Sequence, residues 1–232
     1  MKNLFLLITL IAASNLMAAT LVPVTSVFSP KGFDSNDDTE VIVAGYLPNL
    51  CYKSPKAEYE VDGNKINITI KARKNSNNNL MCPEAIVPFV ESIHVGVMDK
   101  GHYEITVNGN SIYEKKSEIY VAEATSDAID EDIYANVEYV EKQLGSRTVQ
   151  LKGYNPSDCF VLDEINVVDN DKNVYSVLPK MKQVSDFCPM KMVPFTIEME
   201  VPSKLKAEEV LLHVRVMDGK SVNSVFNNTI AK

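Results

Sequence analysis

The chain has 232 residues, a formal net charge of −8, 45% hydrophobic residues and no tryptophan. That length accommodates two domains of about 100 residues each. The acidic balance gives no sign of the dense cationic face that nucleic acid or an anionic membrane surface requires, so neither is expected as a partner.

Lys2, the apolar stretch from Leu4 to Ala13 and the small residues of Leu16-Met17-Ala18-Ala19 have the layout of a signal peptide over residues 1–18, with cleavage after Ala18, and Ala19 as the alternative. The apolar stretch is too short to span a bilayer. No later stretch approaches 18 apolar residues, so no membrane insertion is expected after signal removal. The expected location is the periplasm or the medium.

Thr20 to Pro30 alternates apolar and polar residues and ends at the turn signal Pro30-Lys31-Gly32. Thr39 to Ala44 predicts a second strand. Tyr59 to Ile70 predicts a hairpin around Asp62-Gly63-Asn64, with Asp-Gly supplying a type I′ turn. Asn75 to Asn79 reads as a polar loop. Phe89 to Met98 and Gly101 to Val107 predict another hairpin around Asp99-Lys100-Gly101, and Ser111 to Val121 a further strand. Residues 122–135 carry five acids and no base, and residues 122–132 read as an interdomain linker. The chain restarts as strand near Tyr134 to Val137. A hairpin is predicted around Asp169-Asn170-Asp171, and a short helical turn over Pro202 to Glu209 capped by Ser203.

Three blocks recur in order. Gly45-Tyr46-Leu47-Pro48-Asn49-Leu50-Cys51-Tyr52 matches Gly153-Tyr154-Asn155-Pro156-Ser157-Asp158-Cys159-Phe160. Cys82-Pro83 through Pro88-Phe89 matches Cys188-Pro189 through Pro194-Phe195. His94 to Asp99 matches His213 to Asp218. A period this long means duplicated domains rather than a solenoid. The domains expected are 19–121 and 133–232. All four cysteines lie in these blocks, two per copy. Of the three possible pairings, duplication of a self-contained unit selects Cys51–Cys82 and Cys159–Cys188. Each bridge closes a loop of about 30 residues, worth roughly 3–4 kcal/mol. Spacings without C-x-x-C pairs do not suit a metal site.

Strands of 5–9 residues with almost no helical period define an all-β fold of two antiparallel sandwiches, each with one internal disulfide. With a cysteine near an early strand and the closing strand Gly101-His102-Tyr103-Glu104-Ile105-Thr106-Val107-Asn108-Gly109, each copy resembles a bacterial immunoglobulin-like domain. The resemblance implies binding, adhesion or architecture. The chain departs from antibody-type domains in having no tryptophan to pack on the disulfide, and the short cysteine spacing suits a bridge that pins a loop.

No catalytic constellation stands out: G-x-S-x-G and a Gly-rich phosphate loop are missing, and the cysteines are committed to bridges. No cofactor and no metal are expected. His94 and His213, read as equivalent positions, lack partner ligands in the pattern, and Met181, Met190, Met192 and Met199 fit packing better than copper. Asp34 to Asp38 and Asp169 to Asn173 open like calcium loops but lack the glycine and glutamate that complete one. The candidate partner-binding loops are those of the first block, with Tyr46, Pro48, Tyr154 and Pro156 as anchors. The expected function is an exported, non-catalytic binding or structural protein of the cell envelope that recognises a protein or glycan. The alternatives are a periplasmic protease inhibitor and an adhesin whose acidic linker stiffens with calcium.

Overall fold

The structure, a computed structural model, describes residues 19–75, 81–130 and 132–229. The expected signal peptide, residues 76–79 of the polar loop and Glu131 of the acidic segment lie outside the described residues. The first half forms β1 (Ala19–Leu21), β2 (Val24–Phe28), β3 (Asp38–Leu47), β4 (Tyr52–Asp62), β5 (Lys65–Lys74), β6 (Val87–Val97), β7 (Gly101–Val107) and β8 (Lys115–Val121). The second forms β9 (Val137–Lys142), β10 (Thr148–Asn155), β11 (Phe160–Asp169), β12 (Val174–Gln183), β13 (Val193–Glu200), β14 (Glu209–Val216) and β15 (Lys220–Asn227). Among the described residues there is no helix.

Both halves are β-sandwiches with one pairing scheme. A three-stranded sheet, β2-β3-β6 or β9-β10-β13, faces a larger one, β4-β5-β7-β8 or β11-β12-β14-β15. In each larger sheet one pair is parallel, β5 with β7 and β12 with β14, and the other pairs of these two schemes are antiparallel. The alternating strands bury one face each. Ile66, Ile68 and Ile70 of β5 meet Val41, Val43 and Ile93 in the first core. Tyr175 and Val177 of β12 meet Val149, Leu151, Val210 and Leu212 in the second. Fully burying such a side chain contributes roughly 1.5–3 kcal/mol.

Several local expectations change. The run from Thr20 to Pro30 is two strands in two sheets: β1 pairs with β5 and β2 with β3, and the break falls at Val22-Pro23. Proline fixes φ and donates no ladder bond, which suits the crossing. The β4–β5 hairpin forms as expected, but its loop residues are Gly63 and Asn64, and of these only Gly63 has a positive φ (55°), the pattern of a type II′ turn rather than I′. The hairpin expected around Asp99 does not form: β6 pairs with β3, whereas β7 pairs with β5 and β8. Consequently the third block is not equivalent in the two halves. His94 lies on the edge strand β6, and His213 on β14, between β12 and β15. Pro202 to Glu208 contains no helical turn; its Leu205 and Ala207 pack against the second core instead.

Candidate functional site: the disulfide-pinned ends and the domain junction

The first repeated block is built the same way in both sandwiches. Gly45 and Gly153 lie within β3 and β10, where the neighbouring strand swings inward at a bulge. A Cβ on Gly45 would overlap the Pro23 carbonyl and stand 2.6 Å from the Phe89 ring; on Gly153 it would overlap the Asn136 carbonyl. Those carbonyls accept the N–H of Tyr46 (3.2 Å) and of Tyr154 (3.3 Å). The glycines are therefore required by close approach of backbone. The tyrosines next to them are half-buried strand residues rather than loop tips. Pro48 is half-buried and Pro156 exposed, each following the end of its strand.

Next come the bridges. Cys51 pairs with Cys82 and Cys159 with Cys188, at Cα separations of 5.4 and 5.6 Å. Each ties the connection after β3 or β10 to the segment leading into β6 or β13. Local turns present the first cysteine. Asn49 Oδ1 accepts the Cys51 N–H at 3.1 Å, and Ser157 Oγ accepts the Cys159 N–H at 3.2 Å, as Asx- and Ser-type turns do. Backbone bonds stitch the two segments together beside each bridge, from Leu50 N–H to Pro83 and from Lys191 N–H to Pro156. Disulfides of this kind belong to an oxidising compartment.

Large apolar side chains stand in solvent on these pinned segments. Met81 is 88% exposed at the first end; Phe187 is 80% and Met190 97% exposed at the second. Leu50 and Ile86 accompany the first, and Val184 and Met192 the second. Contiguous exposed apolar patches are what interaction surfaces commonly present, whereas scattered apolar residues need no explanation. The sequence places the anchors at Tyr46, Pro48, Tyr154 and Pro156; the exposed side chains stand mostly around the second cysteine of each pair. The signal was available in Phe187, Met190 and Met192, three large apolar residues beside a turn-forming Cys-Pro.

The second candidate is the junction between the sandwiches. Phe28, Ile42 and Ala44, on the outer face of β2-β3, bury against Val174 and Leu211, with Val225 alongside. Polar groups flank this cluster. Glu40 accepts bonds from Ser221 Oγ (2.6 Å) and Asn223 Nδ2 (2.7 Å). Asn223 Oδ1 lies 2.8 Å from His213 Nδ1, and the Phe33 ring meets the His213 ring edge-on at 5.9 Å. Burial pushes the His213 imidazole below its ordinary pKa, against the pull of Asn223 and Glu40. The Arg215 guanidinium donates to Asp37 of the first sandwich at 2.5 Å and to Asp130 of the acidic segment at 2.8 Å. Lys31–Asp171 and Lys172–Glu118 add exposed pairs across the joint.

The acidic segment is thus more than a spacer. Asp130 also accepts the Gly219 N–H, and Asp132 pairs with Lys180 at 2.7 Å. A cavity of about 450 Å³ opens here, lined by Lys31, Phe33, Asp37, Asp130, His213 and Arg215. Its charged groups are already paired, Arg215 with Asp37 and Asp130 and Lys31 with Asp171. His94 stands apart from it, exposed and bonded to Asp38 at 2.8 Å. Among the described residues no group of three or more His, Cys, Asp or Glu side chains is arranged to hold a metal ion, and no helix is long and apolar enough to cross a membrane.

Against known families, residues 41–119 match the model of the ORF11 beta-sandwich domain, which runs from β3 into β8. The chain is similar to that domain over this part of its first sandwich. No curated protein and no solved structure matches it.

Proposed function

We propose that this is an exported, non-catalytic recognition protein of the cell envelope, periplasmic or secreted, that binds a protein partner through its disulfide-pinned apolar ends. The carrying observation is the exposure of Phe187, Met190 and Met192 on a segment held rigid by Cys159–Cys188. A pinned loop loses little conformational freedom on binding, so its apolar area converts to affinity at low entropic cost. The resemblance to bacterial immunoglobulin-like domains supports the same reading. The junction favours binding over catalysis, because its buried histidine and arginine are spent on holding the domains together.

The calcium-stiffened adhesin is less well supported, since Asp130 and Asp132 are neutralised by Arg215 and Lys180. The inhibitor reading needs an extended loop presented to a protease cleft, and the pinned segments are short and cross-braced.

The test is a pull-down from envelope and culture extracts with the mature chain and with a Phe187→Ser/Met190→Ser variant, with calcium and with chelator. A partner held by the wild type in both conditions and lost by the variant supports the proposal. A partner held equally by the variant sinks it. One that requires calcium returns the acidic segment to the mechanism.

A further inference from the structure

The outer face of the β4–β5 hairpin carries an arrangement that stability alone does not explain. Directly opposite residues of an antiparallel pair share one face, and like charges there repel. Lys53 lies opposite Arg73, and Lys56 opposite Lys71, so four cations stand together at the Cys51–Cys82 end of this sheet. Glu58 neutralises Lys71 at 2.7 Å. Lys53, Lys56 and Arg73 have no ion pair among the described residues. The acids of the same face, Glu60, Asp62, Glu104 and Glu118, gather toward its other end. Within a chain of net charge −8, this is local segregation that the total conceals.

Two more features fall at the same place. Ser54, between the two like-charge pairs, has φ of 52°, in the left-handed region that a serine rarely occupies; backbone strain of this kind concentrates at functional sites. It marks the bulge that separates Lys53 from Lys56. Beside it a depression of about 260 Å³ is lined by Cys51, Lys53, Ser54, Arg73 and Asn75. The second sandwich has none of this charge pattern: the corresponding pairs are Val161 with Lys182 and Glu164 with Lys180, one of them a salt bridge at 3.5 Å.

We infer that the first sandwich binds an acidic polysaccharide across this face, with Lys53 and Arg73 as its principal anion contacts. The cations stand in two rows on the outward face of the sheet, one on each side of the bulge, which matches negative groups recurring along a linear chain. The depression is smaller than the roughly 300–1,000 Å³ of pockets that enclose a drug-sized ligand, so one sugar unit enters it while its neighbours lie on the sheet. A bilayer is the poorer occupant, because its plane would press Glu60 and Glu104 against anionic headgroups, whereas a linear chain can follow the cations at the Cys51–Cys82 end and leave the acidic end uncovered. This site is independent of the apolar segment around Cys159–Cys188.

The test uses the full mature chain and two linear polysaccharides as probes, polygalacturonate (carboxylated) and heparin (sulfated). Wild type should bind at least one, with affinity falling about ten-fold as salt rises and screens the charges. Lys53→Gln/Arg73→Gln should lower affinity about ten-fold or more while melting at or above the wild-type temperature, because a like-charge pair has been relieved. A purely structural pair would instead melt lower when removed. Lys182→Gln/Lys191→Gln, at the corresponding end of the second sandwich, and Phe187→Ser/Met190→Ser should bind as wild type. Binding unaffected by the Lys53/Arg73 change overturns the inference. So does an equal loss in the Lys182/Lys191 variant, or capture of phosphatidylglycerol vesicles or duplex DNA in place of both polysaccharides.

Discussion

The outer faces of β2-β3-β6 and β9-β10-β13 occupy corresponding places in the two sandwiches and meet opposite fates. Gly45 lies opposite Phe89 and Gly153 opposite Phe195, which sets the correspondence residue by residue. Phe28, Ile42 and Ala44 of the first face then correspond to Glu141, Gln150 and Lys152 of the second. The first three are buried in the junction. In the second face, Gln150 bonds to Glu198 and Lys152 pairs with Glu141 at the surface. The same exchange holds in the larger sheets. Val174, Leu211 and Val225 at the junction correspond to Lys65, Glu104 and Glu118 of the first sandwich, of which Glu118 also pairs with Lys172 across the joint. The inward residues stay apolar throughout. Three outward side chains per sheet therefore decide whether a face meets protein or water, with the backbone pairing unchanged.

The largest break in this comparison is Ile42→Lys, which puts the charge of the free face into the covered one. An uncompensated buried charge costs about 3–5 kcal/mol, and urea unfolding should separate into two transitions as the sandwiches uncouple. An unchanged single transition would mean that the apolar cluster does not couple them. Removing the second bridge with Cys159→Ser/Cys188→Ser should cost about 3 kcal/mol by the loop it closes, read from the same denaturation curve. The covered face should be untouched by this, and the domain transition that moves earlier should be the second.

A smaller effect comes from pH. The His213 imidazole titrates below its ordinary value of 6.5 because it is buried. Between the folded and unfolded pKa values the unfolded chain binds more protons, so stability falls as pH drops below 6.5. Above that pH both states are neutral and the histidine adds no slope. His213→Gln should flatten the dependence in the mildly acidic range, and a slope identical to wild type would remove His213 from the account. Smallest of all, Gln150→Ile on the free face should shift stability by under about 0.5 kcal/mol. A loss comparable to that of Ile42→Lys would show that the exposed face is covered in solution.

What the sequence disclosed was what is set locally. The β4–β5 hairpin, the disulfide pairing and the strand character of most segments follow from turn residues, alternation and the repeated Gly-Tyr and Cys-Pro blocks. The third block misled because Val-x-Val-Met-Asp followed by a turn is a generic strand ending, and it occurs here on an edge strand and on a central one. The hairpin around Asp99 failed for a related reason: a tight turn fixes only that the chain reverses, while the two flanking strands belong to opposite sheets. The acidic segment reads as a mere linker because its partners, Arg215 and Lys180, are distant in sequence. The junction itself had a signature. Val41-Ile42-Val43-Ala44 in β3 and Val210-Leu211-Leu212 in β14 are unbroken apolar runs amid strands that otherwise alternate, which is the mark of burial on both faces. The exposed anchors around Cys188 could be read as packing residues equally well, since apolar character alone does not say which side of the surface a loop residue takes.

The junction also has a directional character. It joins the three-stranded face of one sandwich to the four-stranded face of the next, so the two surfaces in contact are different, and a contact of that type is not self-complementary. Repeated from copy to copy it would propagate into a ring or an open filament. Lys65 and Glu104 at one end, and Glu141, Gln150 and Lys152 at the other, put polar side chains where the junction has apolar ones. Terminal units of repeat proteins do the same with a polar outer face. Among the described residues the apolar pairing of unlike faces therefore occurs once, with polar side chains in the corresponding place on each outer face.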